Sequence, residues 1–306
     1  MKPASEVLEA QEAHAPARST PKYERALILF NVKAGSVGPA DRDKLIEAAK
    51  LAGVTEHTLI TPEKMTRKLF ERTHDFDVII VLGGDGTARA AAELAPRNGP
   101  PLVLLPGGTL NILPRALYGE RAWPEALAAA LERGVVKRLP AGRVNNERFY
   151  VAALFGGPTM LVHAREAVRE GRLMTAWKRL RIAWRHSFEQ NLRVRTGKGR
   201  MQRIEAFGVL LPSFSGGLEA DDLEWVRLDA HSVLDLARVS IRALTDAWRR
   251  DDAVEIGRGR VGDVDAAFGY VHATLDGEPR RFYSRVHVKY DPNGPPVLAL
   301  DQDSEA

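Results

Sequence analysis

Gly83-Gly84-Asp85-Gly86-Thr87 follows directly on the apolar run DVIIVL. Glycines at the carboxyl end of a buried parallel strand let the backbone turn tightly and approach a ligand closely. The helix that follows offers unpaired amides and the positive end of its dipole. Together these make a phosphate cradle at the edge where open α/β sheets bind ligands. Asp85 inside such a loop is unfavourable beside phosphate unless a cation or a proton transfer is involved, so it is a candidate metal ligand or catalytic group. The competing reading is an ordinary glycine turn in which Asp85 caps the next helix.

Pro106-Gly107-Gly108-Thr109-Leu110-Asn111 repeats the device after the apolar run LVLL. Two such turns at successive strand ends say more than one. Thr109 and Asn111 offer hydroxyl and amide hydrogen bonds. Arg115, on the helix that follows, either pairs with phosphate or is a surface ion-pair residue. A third turn, Asn31-Val32-Lys33-Ala34-Gly35, would lie beside the other two; by itself it is a plain βα loop. The Walker loop, G-x-G-x-x-G, H-R-D, D-F-G, H-E-x-x-H and G-x-S-x-G are all missing from the chain.

These turns need a scaffold, and the patterning supplies one. Strands are expected at 25–30, 55–60, 77–82 and 102–105, with helices at 41–51, 87–94, 110–117 and 124–133. Thr61-Pro62 has the form of a helix start, and Gly53 and Gly134 the form of helix stops. The result is an α/β unit with a doubly wound, mainly parallel sheet. Beyond Gly134, strands are expected at 135–139, 148–154, 192–196, 204–211, 254–256, 265–275 and 281–290, and helices at 162–188 and 231–249. That half reads as a mainly antiparallel β-sandwich. The expected division is a disordered leader over 1–22, an α/β domain over 23–136 that 290–306 could complete, and a β-rich domain over 137–289.

The chain has no cysteine, which excludes disulfides and thiolate metal sites and fits a cytoplasmic protein. No apolar run approaches the roughly 18 residues of a membrane span, and no secretory signal is evident. The net charge of +4 tolerates a nucleotide, nucleic acid or an anionic membrane and selects none of them. Leu173, Trp177, Leu180, Trp184 and Phe188 share one helical face flanked by Arg and Lys. Such a face either packs on the β domain, as most amphipathic helices do, or meets a membrane surface.

GGDGT, then PGGTLN with Arg115 downstream, resembles the diacylglycerol kinase and sphingosine kinase superfamily, to which NAD kinases are more distantly similar. The likeness spans 25–119 and returns at Leu275-Asp276-Gly277-Glu278-Pro279, which resembles the family's Asp-Gly-Glu element. By pattern alone that element is a hairpin turn, since Asp-Gly is a favoured turn pair. The resemblance implies an ATP- and Mg²⁺-dependent lipid kinase, with the nucleotide on the α/β domain and the lipid on the β-rich domain. Asn31, Thr61, Gly83, Gly84, Asp85, Gly86, Thr87, Gly107, Gly108, Thr109 and Asn111 would line the nucleotide site. Asp276 would be the general base, supported by Glu278, with Asp85 beside the chemistry.

Departures from the family pattern are Val32 in place of Pro, Ile112 after the second turn, and Asp221-Asp222-Leu223-Glu224 in place of a metal-associated Asp-Gly-x-Leu-Asp. Asp85, Asp221 and Asp222 are the candidate metal ligands. The expected partners are a lipid substrate and, peripherally at the inner face, an anionic membrane. A homodimer is left open, and nucleic acid is not expected because no stacking or groove-reading motif accompanies the basic residues. The alternatives are a kinase of a soluble alcohol, NAD kinase-like, and an inactive nucleotide- or lipid-binding relative.

Overall fold

A computed structural model describes residues 23–156, 192–197, 199–204, 206–215, 217–218, 220–228, 249, 254–266 and 269–301. The leader, the tryptophan-bearing helix expected at 162–188, and all of 231–249 except Arg249 lie outside the described residues.

The first lobe runs β1 (Arg25–Phe30), α1 (Asp41–Leu51), β2 (Glu56–Ile60), α2 (Arg67–Phe70), β3 (Val78–Gly83), α3 (Asp85–Leu94), β4 (Leu102–Pro106), α4 (Ile112–Tyr118), α5 (Trp123–Arg133) and β5 (Val135–Arg138). β1, β3 and β4 are apolar runs buried along nearly their whole length, as strands covered on both faces must be. α3 lies close on the sheet because Ala88, Ala91 and Ala92 face it. Thr61-Pro62 opens a short 3-10 turn rather than an α-helix.

The second lobe is built from β6 (Ala141–Val144), β7 (Glu147–Phe149), β8 (Ala152–Gly156), β9 (Leu192–Thr196), β10 (Gln202–Ile204), β11 (Ala206–Leu210), β12 (Leu223–Leu228), β13 (Val254–Gly259), β14 (Val261–Ala266), β15 (Tyr270–Leu275), β16 (Glu278–Tyr283) and β17 (Val286–Asp291). They form two antiparallel sheets, β10-β9-β14-β17-β6-β7 and β13-β12-β11-β8-β15-β16. A shared core includes Phe155, Phe207, Trp225, Val264 and Val288. A final strand, β18 (Pro296–Ala299), returns to the first lobe and gives its sheet the order β2-β1-β3-β4-β18-β5. β1 to β4 and β18 pair in parallel, and β5 pairs antiparallel to β18. Only one register pair joins β18 to β4; the buried Tyr118 hydroxyl reinforces the seam by donating to Leu298 O at 3.0 Å and accepting from Leu104 N at 3.2 Å.

The fold class is as the sequence implied, but several strands expected as single pieces are divided. The expected 148–154, 204–211, 265–275 and 281–290 each become two strands, one in each sheet of the sandwich. At these corners the apolar pattern continues while the chain changes sheet. Positive φ at Gly269 (73°) and Ser284 (63°) marks two of the crossings. β6, β12 and β18 had no counterpart in the sequence reading. Among the described residues, no helix is long and apolar enough to cross a membrane.

Candidate active site

The three turns expected at the sheet's carboxyl edge are brought together. Gly107 N donates to Gly83 O at 2.9 Å, and Ser36 N donates to Gly107 O at 3.0 Å. A Cβ on Gly108 would stand 2.7 Å from Gly84 Cα, and one on Gly107 would stand 3.0 Å from Gly83 N. Neither Gly107 nor Gly108 could carry a side chain here without forcing the Gly83-Gly84 backbone away. Asn31 Nδ2 donates to Thr87 Oγ1 at 2.8 Å, and Asn31 Oδ1 accepts from Lys33 N at 3.0 Å. Asn111 is left-handed (φ 50°) and closes its turn through Gly108 N to Oδ1 at 2.7 Å and Nδ2 to Gly108 O at 2.9 Å. Thr109 lies against the first turn, its Oγ1 3.2 Å from where a Gly35 Cβ would be. Thr61 stands at the end of the edge strand β2; its carbonyl accepts from Lys64 N at 2.9 Å, and its side chain bonds Glu63, which pairs with Lys33 at 3.6 Å.

α3 and α4 begin differently, and Asp85 causes the difference. α3 starts at Gly84, where no side chain caps the helix. Thr87 N and Ala88 N both donate to Gly84 O, at 2.9 and 3.0 Å, so the amides without a partner within the helix are those of Asp85 and Gly86. A Cβ on Gly86 would meet nothing within 4 Å. Asp85 covers this end only at its own amide. Its carboxylate turns to the start of α4, where Oδ1 accepts from Leu113 N at 3.4 Å. Burial pushes its pKa up, opposed by the amides of Ile112, Leu113 and Asn111. One carboxylate thus caps the neighbouring helix and leaves its own open to an anion.

The Asp-Gly-Glu element is both a hairpin turn and part of the junction between the lobes. Asp276 (φ 49°) and Gly277 (φ 86°) link β15 to β16 as a type I′ turn, whose two positive φ values suit Asp-Gly. The Asp276 side chain points inward. Oδ2 accepts from Tyr150 N at 2.8 Å, and Oδ1 accepts from Val151 N and Ala152 N, each at 2.9 Å. Burial raises its pKa, opposed first by these amides and then by the Arg89 guanidinium. Glu278 is more exposed and lies 4.0 Å from Arg89 and 3.7 Å from Arg280.

Two residues that join the lobes were not singled out in the sequence. The buried Tyr150 donates its hydroxyl to Ala92 O near the end of α3 at 3.0 Å, while its carbonyl accepts from Ser213 Oγ at 2.7 Å. Arg89 sits four residues after Asp85, on the same helix face, with its side chain only 13% exposed. Arg89 could have been found by helical spacing; nothing in the sequence marks Tyr150.

The remaining candidates lie in ion pairs. Arg115 pairs with Glu120 at 3.0 Å and is half exposed, which is the surface alternative. Asp221 pairs with Arg260 at 3.3 Å, and Asp222 lies 4.0 Å from Arg258. Among the described residues, no three His, Cys, Asp or Glu side chains gather as a metal cluster.

A mainly parallel sheet with glycine turns at its carboxyl edge, joined to a β-sandwich through the partly buried Asp276 carboxylate, defines a two-lobed protein. Residues 25–144 match the family model of the diacylglycerol kinase catalytic domain, so the resemblance seen in the glycine turns holds. A diacylglycerol kinase structure from Bacillus anthracis str. Sterne is 15% identical, with 91% of this chain and 97% of that one covered and a TM-score of 0.61. Yeast NADH kinase complexed with NADH is 11% identical over 91% of this chain and 84% of that one, with a TM-score of 0.50. At these identities the likeness is one of fold.

Proposed function

We propose that the chain is an ATP-dependent lipid kinase that transfers the γ-phosphate to the hydroxyl of a lipid such as diacylglycerol. The observation that carries this reading is the open start of α3, held against Gly108, on a helix whose far end is joined to the Asp276 hairpin through Tyr150. The open amides at Gly84 and Gly86 bind phosphate oxygens, and Asn31 and Thr87 hold the first two turns together. ATP fits because glycine contacts make the cradle and Gly86 opens to free space. Mg²⁺ travelling with the nucleotide would need only one or two protein oxygens and would supply charge neutralisation; Asp85 is the candidate here, while Asp221 is paired with Arg260, and Asp222 lies 4.0 Å from Arg258 with its Oδ1 making no hydrogen bond among the described residues.

The reaction needs an in-line approach and a group that accepts the alcohol proton. Asp276 Oδ2 has one amide donor, against two on Oδ1, and is the oxygen assigned to that proton. A raised pKa makes the carboxylate a stronger base once ionised. Glu278 and Arg89 border it. The NAD kinase-like alternative differs only in acceptor. The binding-only alternative draws support from the three amide bonds on Asp276, which suit a structural anchor.

The test is transfer of labelled γ-phosphate over a panel of diacylglycerol, sphingoid bases, glycerol and NAD, with Asp276→Asn as control. Label on a lipid, lost in the variant, is the expected result. Label only on NAD or glycerol moves the acceptor to the soluble class. Tight ATP binding with no labelled product makes the protein a binding relative.

A further inference from the structure

Three guanidinium groups converge on one carboxylate at the lobe junction, away from the glycine turns. Asp291, at the end of β17, is 8% exposed. Its Oδ2 lies 3.3 Å from Arg97, 3.5 Å from Arg148 and 3.9 Å from Arg143. Among the described residues only Arg97 makes a hydrogen bond with it; Oδ1 accepts from Asn293 N at 3.1 Å. Arg143 and Arg148 face each other in register across β6 and β7. Lys289 stands opposite Arg143 on β17, on the same face. The neighbouring acid Glu147 is engaged by Arg280 at 2.5 Å.

Three guanidinia against one carboxylate leave two positive charges in excess. The Nε atoms of Arg143 and Arg148 are buried and have no hydrogen-bond partner among the described residues. A buried unpaired donor costs about 1–3 kcal/mol, and one carboxylate oxygen with two lone pairs cannot serve three guanidinia. A phosphate monoester carries roughly −1.5 to −2 charge and three acceptor oxygens, which matches both the surplus charge and the surplus donors. A chloride-sized anion would match neither, and a single carboxylate is already present.

We infer that Arg97, Arg143 and Arg148 form a second anion site, distinct from the nucleotide turns, that takes a phosphate group, either free or as the headgroup of a lipid phosphomonoester. Arg97 belongs to the first lobe, in the segment between α3 and β4, while Arg143, Arg148 and Asp291 belong to the second. An anion held there ties the two lobes together. The inference does not depend on the kinase reading.

The test uses the full chain and the paired variant Arg143→Gln/Arg148→Gln. Inorganic phosphate is titrated calorimetrically with a saturating non-hydrolysable ATP analogue present. In a second arm, sedimentation with phosphatidylcholine vesicles is compared with and without phosphatidic acid. The wild type is expected to bind phosphate saturably, and the paired variant at least tenfold more weakly. Selective loss of phosphatidic acid sedimentation in the variant assigns the lipid source, and phosphate binding without vesicle selectivity assigns the free one. Equal behaviour of wild type and variant in both arms overturns the inference, because Asp291 and solvent then satisfy the arginines. Should the paired variant fail to fold, Arg97→Gln, at a half-exposed position, is read by the same criteria.

Discussion

Gly86→Ala separates stability from binding at one atom. Gly86 is the second residue of α3, its φ is not positive, and an added Cβ touches nothing within 4 Å. Alanine in a helix is favoured over glycine by roughly 0.5–1 kcal/mol. The variant is therefore expected to be more stable, by about 1–3 °C in melting temperature for a chain of this size. The same methyl group projects into the open space at the amides proposed to hold phosphate. Losing one hydrogen bond to a charged group costs about 1.5–3 kcal/mol, or ten- to a hundredfold in affinity. Gly108→Ala provides the contrast, since its Cβ would stand 2.7 Å from Gly84 Cα, and backbone cannot move aside as a side chain can. That variant should lose about 1–3 kcal/mol of stability as well as nucleotide binding. Differential scanning calorimetry and ATP titration on both variants decide the matter. A stabilised Gly86→Ala protein that binds ATP as tightly as the wild type would refute the assignment of the cradle.

Tyr150→Phe leaves Ala92 O without its buried donor and should cost about 1–3 kcal/mol in denaturant unfolding. Arg89→Gln removes the cation that lowers the Asp276 pKa, so the acid limb of kcat should move to higher pH; an unmoved limb shows that Asp276 is not the titrating base. Asp276 has a raised pKa in the folded state, so its contribution to stability is complete below the unfolded carboxylate value of about 3.9 and is lost as pH rises through the folded value. Asp276→Asn should remove that decline from the pH dependence of unfolding. Gly262→Ala would press a methyl group onto the Trp225 ring and to 2.6 Å from Arg195 O; it should lower the stability of the β lobe by about 1–3 kcal/mol without altering ATP affinity.

The first lobe was legible because its strands are uninterrupted apolar runs and its turns are rich in glycine. β1 and α1 match the expected bounds residue for residue, while β3 and β4 end one residue later than expected. The sandwich was harder to read, because hydrophobic alternation continues through a corner and does not show that Ser284 carries the chain from one sheet to the other. The site divides in the same way. The sequence marks Asp85 and Asp276 as notable carboxylates but cannot show what each one faces. Asp85 faces the amides of α4, and Asp276 faces those of Tyr150, Val151 and Ala152. Both partnerships span long stretches of chain, 28 residues for Leu113 to Asp85 and 126 for Tyr150 to Asp276.

β18 enters the first lobe between β4 and β5, although almost the whole β-sandwich precedes it in the chain. On the ribosome, the first lobe must therefore wait with an unfilled slot until the other lobe has been made. Through that interval β4 offers an open hydrogen-bonding edge, the kind of surface to which a stray strand can add. The contacts that close the slot, among them Tyr118 to Leu298, come last. Synthesis order thus makes the lobe that reads earliest in the sequence the later one to be completed.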